Sequence, residues 1–262
     1  MPSFGICCTL DKVDAIKSAG FDHAEGAANV LFDGRVEDDA ALDLDKVREA
    51  ALPIVACNMY LPGDDVTVTG PNPDRELWTT YNDRLLRRAA ECGVSRLVLG
   101  SGKARMVRDG QSRDEARERI LDFLKIAAPL AARYGVTIVI EPLRRGECNI
   151  INSVAEGMEY VHAIDHPNVR CLVDSYHLWD ENEPLENLEK AMPFIQHVHV
   201  ADHVTRAGSG ADPSQIDAYR AFFGVLKAGG YDGAISVEGT HGWDEPTLVG
   251  IRDFLHEQWN AA

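Results

Sequence analysis

A single closed (β/α)8 barrel, the TIM-barrel form of the α/β class, is the fold predicted for residues 1–262, and three observations predict it. First, short apolar runs alternate with helical stretches eight times, with no composition break between them. That pattern argues for a parallel sheet with its helices outside. Second, Thr137–Pro142 (TIVIEP) is apolar on both faces, as a strand covered on both sides must be. Third, CCTLDK, which follows the first strand, contains no glycine. An open doubly wound sheet usually carries a glycine-rich phosphate loop there. The one glycine cluster, Gly100-Ser-Gly102, follows the fourth strand and is not a GxGxxG. The 262 residues also match the length of about 250 that such barrels commonly have.

The elements follow in order. Ser3–Cys8 is the first strand, and Thr9 is placed to cap a helix through Ser18, with Val13 and Ile16 inward and Gly20 as its stop. Phe21–Glu25 is a second strand that ends in an acid; a loop to Asp39 and a helix over Leu44–Ala51 follow. Pro53–Met59 is the third strand, opening into the polar loop YLPGDDVTVTGPNPD. Arg75–Cys92 reads as a long helix, with Leu77, Tyr81, Leu85 and Ala89 at a spacing of four, and Gly93 ends it. Arg96–Ser101 is the fourth strand, followed by the loop GKARMVRDG. Ser112 and Glu115 form a capping box for a helix with Ala116, Ile120, Phe123 and Ala127 on one face. After the fifth strand, TIVIEP, Ser153 caps a helix to about His166, which Pro167 halts. Val169–Asp174 is the sixth strand, with a helix over Leu185–Met192 after it; Ile195–Ala201 is the seventh, with a helix from the Asp212-Pro213 cap to Ala228. Ala234–Glu238 is the eighth strand, and the last helix covers Pro246–Trp259.

The formal charge of −16 and a pI near 4.9 repel nucleic acid and are compatible with a metal site rich in carboxylates. No stretch approaches 18 consecutive apolar residues, so no membrane span is expected. MPSFGICCTLDKVDAIK lacks the basic and apolar regions of a signal peptide. The six cysteines form no CxxC pair, and several lie in strand-like apolar runs. A reduced, cytoplasmic setting is the expectation.

Strands five to eight carry Glu141, Asp174, His199 and Glu238 at their ends. In a closed parallel barrel these ends converge at one mouth. Three carboxylates and an imidazole there would ligate a divalent cation, and oxygen-dominated donors favour Mn²⁺, Mg²⁺ or Co²⁺ over thiolate-type zinc. Each residue alone reads more simply as a helix cap or the partner of an arginine, and His197 and His199 as polar groups satisfied in the barrel wall. Four consecutive strands ending this way are harder to obtain from capping alone. On spacing, both readings stay open. Trp179, Trp243, Tyr60 and Leu61 are candidate pocket walls, and Lys103 and Arg105 candidate anion contacts at the mouth.

Four segments stand out: Glu141-Pro-Leu-Arg-Arg-Gly-Glu147, Asp174-Ser-Tyr-His177, His197-Val-His199-Val-Ala-Asp202 with Arg206-Ala-Gly-Ser-Gly210, and Gly230-Tyr-Asp-Gly233 leading to Ser236-Val-Glu238. They resemble the xylose-isomerase-like TIM-barrel superfamily. Within the superfamily they look most like the D-tagatose/D-psicose 3-epimerase and hydroxypyruvate-isomerase group. The likeness runs from GICCTLDK to the last strand, and EPxxRxE and DxxH are its most specific parts. It implies a divalent metal, Mn²⁺ first, with Co²⁺, Mg²⁺ and Zn²⁺ as alternatives, on Glu141, Asp174, His199 and Glu238. It also implies substrate contacts at Glu147, His177 and Arg206, a small sugar or keto-acid substrate, and a homodimer or homotetramer. Two departures touch substrate recognition: Arg144-Arg145 stands where the epimerases usually carry Asn-Arg, and the stretch from His199 to Arg206 is one residue longer.

Epimerisation or aldose–ketose isomerisation requires removing a proton next to a carbonyl and stabilising the enediolate. Glu141 and Glu238, on strands far apart around the barrel, are the expected acid/base pair. Three other classes compete. A lyase or dehydratase of inososes or keto-sugars would use the same enediolate. An endonuclease IV-type nuclease would need further histidines, and its Asp-x-His pair is missing after His199. A non-catalytic sugar-binding barrel would show a broken ligand set, whereas all four positions are intact.

Overall fold

The apolar runs form eight parallel strands: β1 (Ser3–Cys7), β2 (His23–Ala27), β3 (Ile54–Asn58), β4 (Arg96–Leu99), β5 (Thr137–Ile140), β6 (Val169–Asp174), β7 (Ile195–Val200) and β8 (Ala234–Val237). The structure, a computed structural model, describes residues 1–63, 65–70 and 73–262. Asp64, Pro71 and Asn72, in the polar loop after β3, lie outside the described residues. The strands pair in chain order and β8 returns to β1, which closes the barrel.

The helices are α1 (Val13–Ser18), α2 (Ala28–Leu31), α3 (Leu44–Arg48), α4 (Arg75–Glu91), α5 (Gly102–Arg105), α6 (Arg113–Tyr134), α7 (Val154–Ile164), α8 (Ser175–Asp180), α9 (Leu185–Ala191), α10 (Ile216–Ala228) and α11 (Glu245–Ala261). The Ser112–Glu115 capping box is present in full at the start of α6, and Gly135 ends that helix in the left-handed region at φ 70°. Ala116, Ile120, Phe123 and Ala127 of α6 are fully buried, as their spacing predicts. In α4, Tyr81, Leu85 and Ala89 are buried and Leu77 is only partly covered. These faces belong with strand residues such as Phe4, Ile6, Ile138 and Ile140 to one continuous core. Each large apolar side chain so buried contributes roughly 1.5–3 kcal/mol.

Several expectations need correction. Thr9 makes no side-chain cap: its hydroxyl donates to Asp11, a 3-10 turn covers Leu10–Lys12, and α1 begins at Val13. The second strand does not end at Glu25 but runs two residues further, so Glu25 projects from inside the sheet. The segment after the fourth strand is not all loop, because Gly102–Arg105 forms a helical turn. The DSYH segment is also helical, as α8, with Asp174 accepting from the Tyr176 N–H as its cap.

Alternation of side chains along each strand divides the barrel wall into two faces. Val98, Val139 and Leu172 form a small buried cluster separate from the main core. The barrel also holds a polar group of His23, Glu25, His197, His199 and Ser236, none more than 1% exposed. His23 Nε2 lies 3.1 Å from Ser236 Oγ. Gly5, beside His23 in the β1–β2 register, makes room for that imidazole. A β-carbon on Gly5 would fall 2.3 Å from the His23 ring and 2.6 Å from its carbonyl oxygen. Gly5→Ala is therefore expected to cost about 1–3 kcal/mol by overpacking. Urea unfolding measures this, and wild-type stability in the variant would refute the tight fit.

Candidate active site

At the carboxyl ends of the strands, Glu141, Asp174, His199 and Glu238 come together, with one ligand atom of each within 4.8 Å of the others. Closure of the barrel accomplishes this: Asp174 ends β6, Glu141 and Glu238 directly follow β5 and β8, and His199 lies within β7. Gly100, just past β4, leaves the space that Glu141 occupies, since a β-carbon there would sit 2.1 Å from Glu141 Oε2.

The hydrogen bonds account for most of the donor atoms. His199 Nδ1 faces Glu141 Oε1 at 3.2 Å and Glu238 Oε2 at 3.5 Å. Glu238 Oε1 accepts from Asn58 Nδ2 at 2.6 Å, and Oε2 accepts from Arg206 Nη2 at 2.6 Å. Asp174 divides its roles. Oδ1 caps α8, while the buried Oδ2 has no hydrogen-bond partner among the described residues. That atom lies 3.5 Å from His177 Nε2 and 3.8 Å from Arg206 Nη2. Asp174 thus caps α8 through one oxygen and leaves the other among the convergent carboxylates.

The charges are crowded and balanced by few cations. Burial pushes the Glu141 carboxyl up, against the hydrogen bond from His199. Burial, and then the charges of Glu141 and Glu238, push Asp174 up to about 7. Burial would raise Glu238 too, but His199 and Arg206 outweigh it and bring that carboxyl down to about 2. Burial alone would lower His199, yet Glu25 and Glu238 hold its imidazolium well above the usual range. Burial and Arg206 hold His177 at about 3, so its ring is neutral. The set fits a divalent cation on three counts: three carboxylates and an imidazole converge, one carboxylate oxygen is buried without a partner, and the repulsion is of the kind a cation relieves. A cation there would take the place of the Nδ1 proton of His199.

The other expected residues surround this group. Arg206, at φ 51° in the loop after β7, reaches Glu147 at 3.3 Å as well as Glu238. Arg144 Nε donates to Glu147 at 2.8 Å, and its backbone N–H faces His177 Nδ1 at 3.3 Å. That contact leaves the Nε2–H of His177, which has no partner among the described residues, as a free donor. Arg145 pairs instead with Glu181. Tyr176 lies near both arginines, its ring centre 5.3 Å from Arg144 and 5.0 Å from Arg206.

Four expectations about the surroundings fail. Arg105 is not at the mouth: it is fully buried and its Nη2 donates to the Glu141 backbone carbonyl at 2.6 Å, while Lys103 is exposed. Trp179 packs edge-on against Tyr219 and Phe222 and is not a pocket wall. Tyr60 and Leu61 are core residues, the Tyr60 hydroxyl donating to Asn82. Trp243 does line an open cavity of about 410 Å³ with Cys7, Lys12, Glu25 and Asn58, so one indole of the two faces a pocket beside the carboxylate group. A second open groove of about 630 Å³ around Arg108, Glu115 and Arg119 shares no residue with the site. Sequence reasoning missed Glu25, Asn58, Tyr176 and the placement of Arg105. Glu25 does carry a signal in the sequence, as an acid at the carboxyl end of an apolar run.

Charge crowding has a measurable consequence. Asp174→Asn removes one of the three carboxylates and keeps an oxygen to cap α8. Stripped of divalent cations, the variant is expected to melt above stripped wild type, by about 2–4 °C per kcal/mol of repulsion relieved. Added Mn²⁺, which should stabilise wild type, should leave the variant unmoved. Scanning fluorimetry with and without Mn²⁺ checks both; a lower melting temperature in the stripped variant would count against crowding.

Comparison with known proteins identifies relatives that span most of the chain. A 3-dehydro-D-guloside 4-epimerase of Escherichia coli (strain K12) is 29% identical over 94% of this chain and 92% of its own length. An L-ribulose 3-epimerase of Methylomonas sp. (strain DH-1) is 29% identical over 84% of this chain and 74% of its own. The apo crystal structure of an E. coli 3-keto-D-glucoside 4-epimerase superposes with a TM-score of 0.78 at 25% identity, covering 99% of this chain and all of that one. A family model described as xylose isomerase-like TIM barrel matches residues 13–256, and the chain belongs to that family.

Proposed function

We propose that the protein is a metal-dependent sugar epimerase acting on a ketose or keto-sugar through an enediolate. The observation that carries the reading is the pair Glu141 and Glu238, from β5 and β8, both directed at His199 Nδ1 within the convergent carboxylate group. The relatives named above as epimerases of keto-sugars support the substrate class. Glu141, Asp174, His199 and Glu238 would hold the divalent metal, Mn²⁺ before Co²⁺, Mg²⁺ or Zn²⁺. The chemistry such a metal supplies when bound is polarisation of the substrate carbonyl and its neighbouring hydroxyl.

The chain's own residues then have separate tasks. One glutamate removes the proton from the carbon beside the carbonyl, and its electron pair passes into the enediolate. The other glutamate returns a proton to the same carbon from the opposite face, which inverts it. Each is the base for one epimer and the acid for the other, a contribution of about 10²–10⁴-fold. The free Nε2–H of His177 donates to a substrate oxygen beside Asp174. Arg206 and Glu147, paired at 3.3 Å, bind a hydroxyl or hydroxymethyl end. Arg144, held on Glu147, and Arg145, held on Glu181, are the places where this substrate departs from that of the Asn-Arg epimerases.

A screen of ketoses and 3-keto-glycosides with Mn²⁺ in D₂O tests the reading. Deuterium is expected at the epimerised carbon without loss of water; loss of water would make the protein a lyase. Glu238→Gln is expected to abolish that exchange in a folded chain, and full exchange in the variant would sink the assignment. EDTA treatment and dialysis should remove activity and Mn²⁺ should restore it; activity untouched by chelation would exclude the metal role.

A further inference from the structure

Glu25 lies outside the group that would hold a cation, yet it grips one member of it. It is fully buried in β2, and two imidazoles of β7 reach across the barrel to its carboxylate. Oε2 is 2.8 Å from His197 Nε2, and Oε1 is 3.0 Å from His199 Nε2. β2 and β7 are not neighbours in the sheet, so these are contacts through the interior. His197 and His199 share a face of β7 because they are two residues apart.

An ionised carboxylate only accepts hydrogen bonds, so both facing ring nitrogens donate. His199 must then carry a hydrogen on Nε2, which leaves Nδ1 as the nitrogen able to offer a lone pair. Nδ1 is also the nitrogen that faces Glu141 and Glu238 at 3.2 and 3.5 Å. The carboxylate is itself fixed, because His197 occupies its other oxygen. We propose that Glu25 is a positioning residue that, by accepting from Nε2–H, orients the His199 ring and presents Nδ1 to the cation site. The proposal rests on the metal reading given above. Carboxylates in this relation to a ligating histidine typically govern metal affinity by 10–100-fold. The same atoms permit one rival arrangement. Cys7, Glu25 and His199 also offer ligand atoms within 4.8 Å of one another, which would make Glu25 a ligand of a second cation through Nε2 of the ring.

The test is calorimetric titration of the full chain, stripped of divalent cations, with Mn²⁺, beside long-range ¹H–¹⁵N spectra of the histidine rings in Mg²⁺-loaded protein. Wild type is expected to bind one Mn²⁺, with a proton on Nε2 of His199 and none on Nδ1. Glu25→Gln, which keeps the shape but not the charge, is expected to raise the Kd about 10–100-fold with an unchanged circular dichroism spectrum. A folded Glu25→Gln chain that binds Mn²⁺ as tightly as wild type would overturn the proposal. So would a second equivalent of Mn²⁺ that the variant loses. If the variant does not fold, the wild-type ring spectrum decides: a proton on Nδ1 overturns the proposal, and a proton on Nε2 upholds it. Wild type that binds no Mn²⁺ overturns the metal reading itself, and this proposal with it. An unchanged Kd in the variant refutes only the role of Glu25.

Discussion

The constraint on which the rest of the structure depends is the balance of charge around His199. Four carboxylates, Glu25, Glu141, Asp174 and Glu238, lie in or beside the barrel interior, and the cations among them are His199 and Arg206. In a medium of low dielectric such a group is costly unless each charge is paired and hydrogen-bonded. Glu25 and Glu238 are satisfied from within the protein, while Asp174 keeps a buried oxygen without a partner among the described residues. A protein stabilised only by its own contacts would gain by an uncharged residue at Asp174 that still caps α8. Holding a carboxylate there makes sense as the cost of a site.

The barrel makes this arrangement rigid. Parallel closure sends every strand end to one mouth, and the interior below it is filled by Val98, Val139 and Leu172 and by a polar group that includes His23, His197 and Ser236. Two glycines set close clearances. Gly5 admits the His23 ring and Gly100 admits the Glu141 carboxylate. Arg105, buried behind the site, holds the Glu141 backbone through its carbonyl. The site is thus supported from below and behind by side chains that never face solvent.

The upper rim is built differently. Arg206 sits in a loop tied to the next by the Ala207–Thr240 bridge, and it works across the mouth through Glu147 and Glu238. Arg144 shares Glu147 with it, and Tyr176 lies against both guanidinium groups. This rim of paired charges contains the two departures from the epimerase pattern, and under the proposed function it is where substrate choice would be decided.

The sequence by itself determined the barrel and its four convergent residues, because both follow from local signals. Strand and helix periods are written in residue spacing, and caps such as Ser112 with Glu115 are short-range. An acid that ends an apolar run needs no partner to be noticed, and the motifs around Glu147, His177 and Arg206 are contiguous. Tertiary structure alone decided what those residues touch. Glu25 meets His197 and His199 only because a closed sheet brings β2 opposite β7, a separation of 172 and 174 residues along the chain. The same long-range closure moved Arg105 from an expected rim cation to a buried brace, turned Trp179 toward Tyr219, and gave each oxygen of Asp174 a different role. Spacing encodes which face a side chain takes; which side chain from a distant strand it meets depends on the register of the whole barrel.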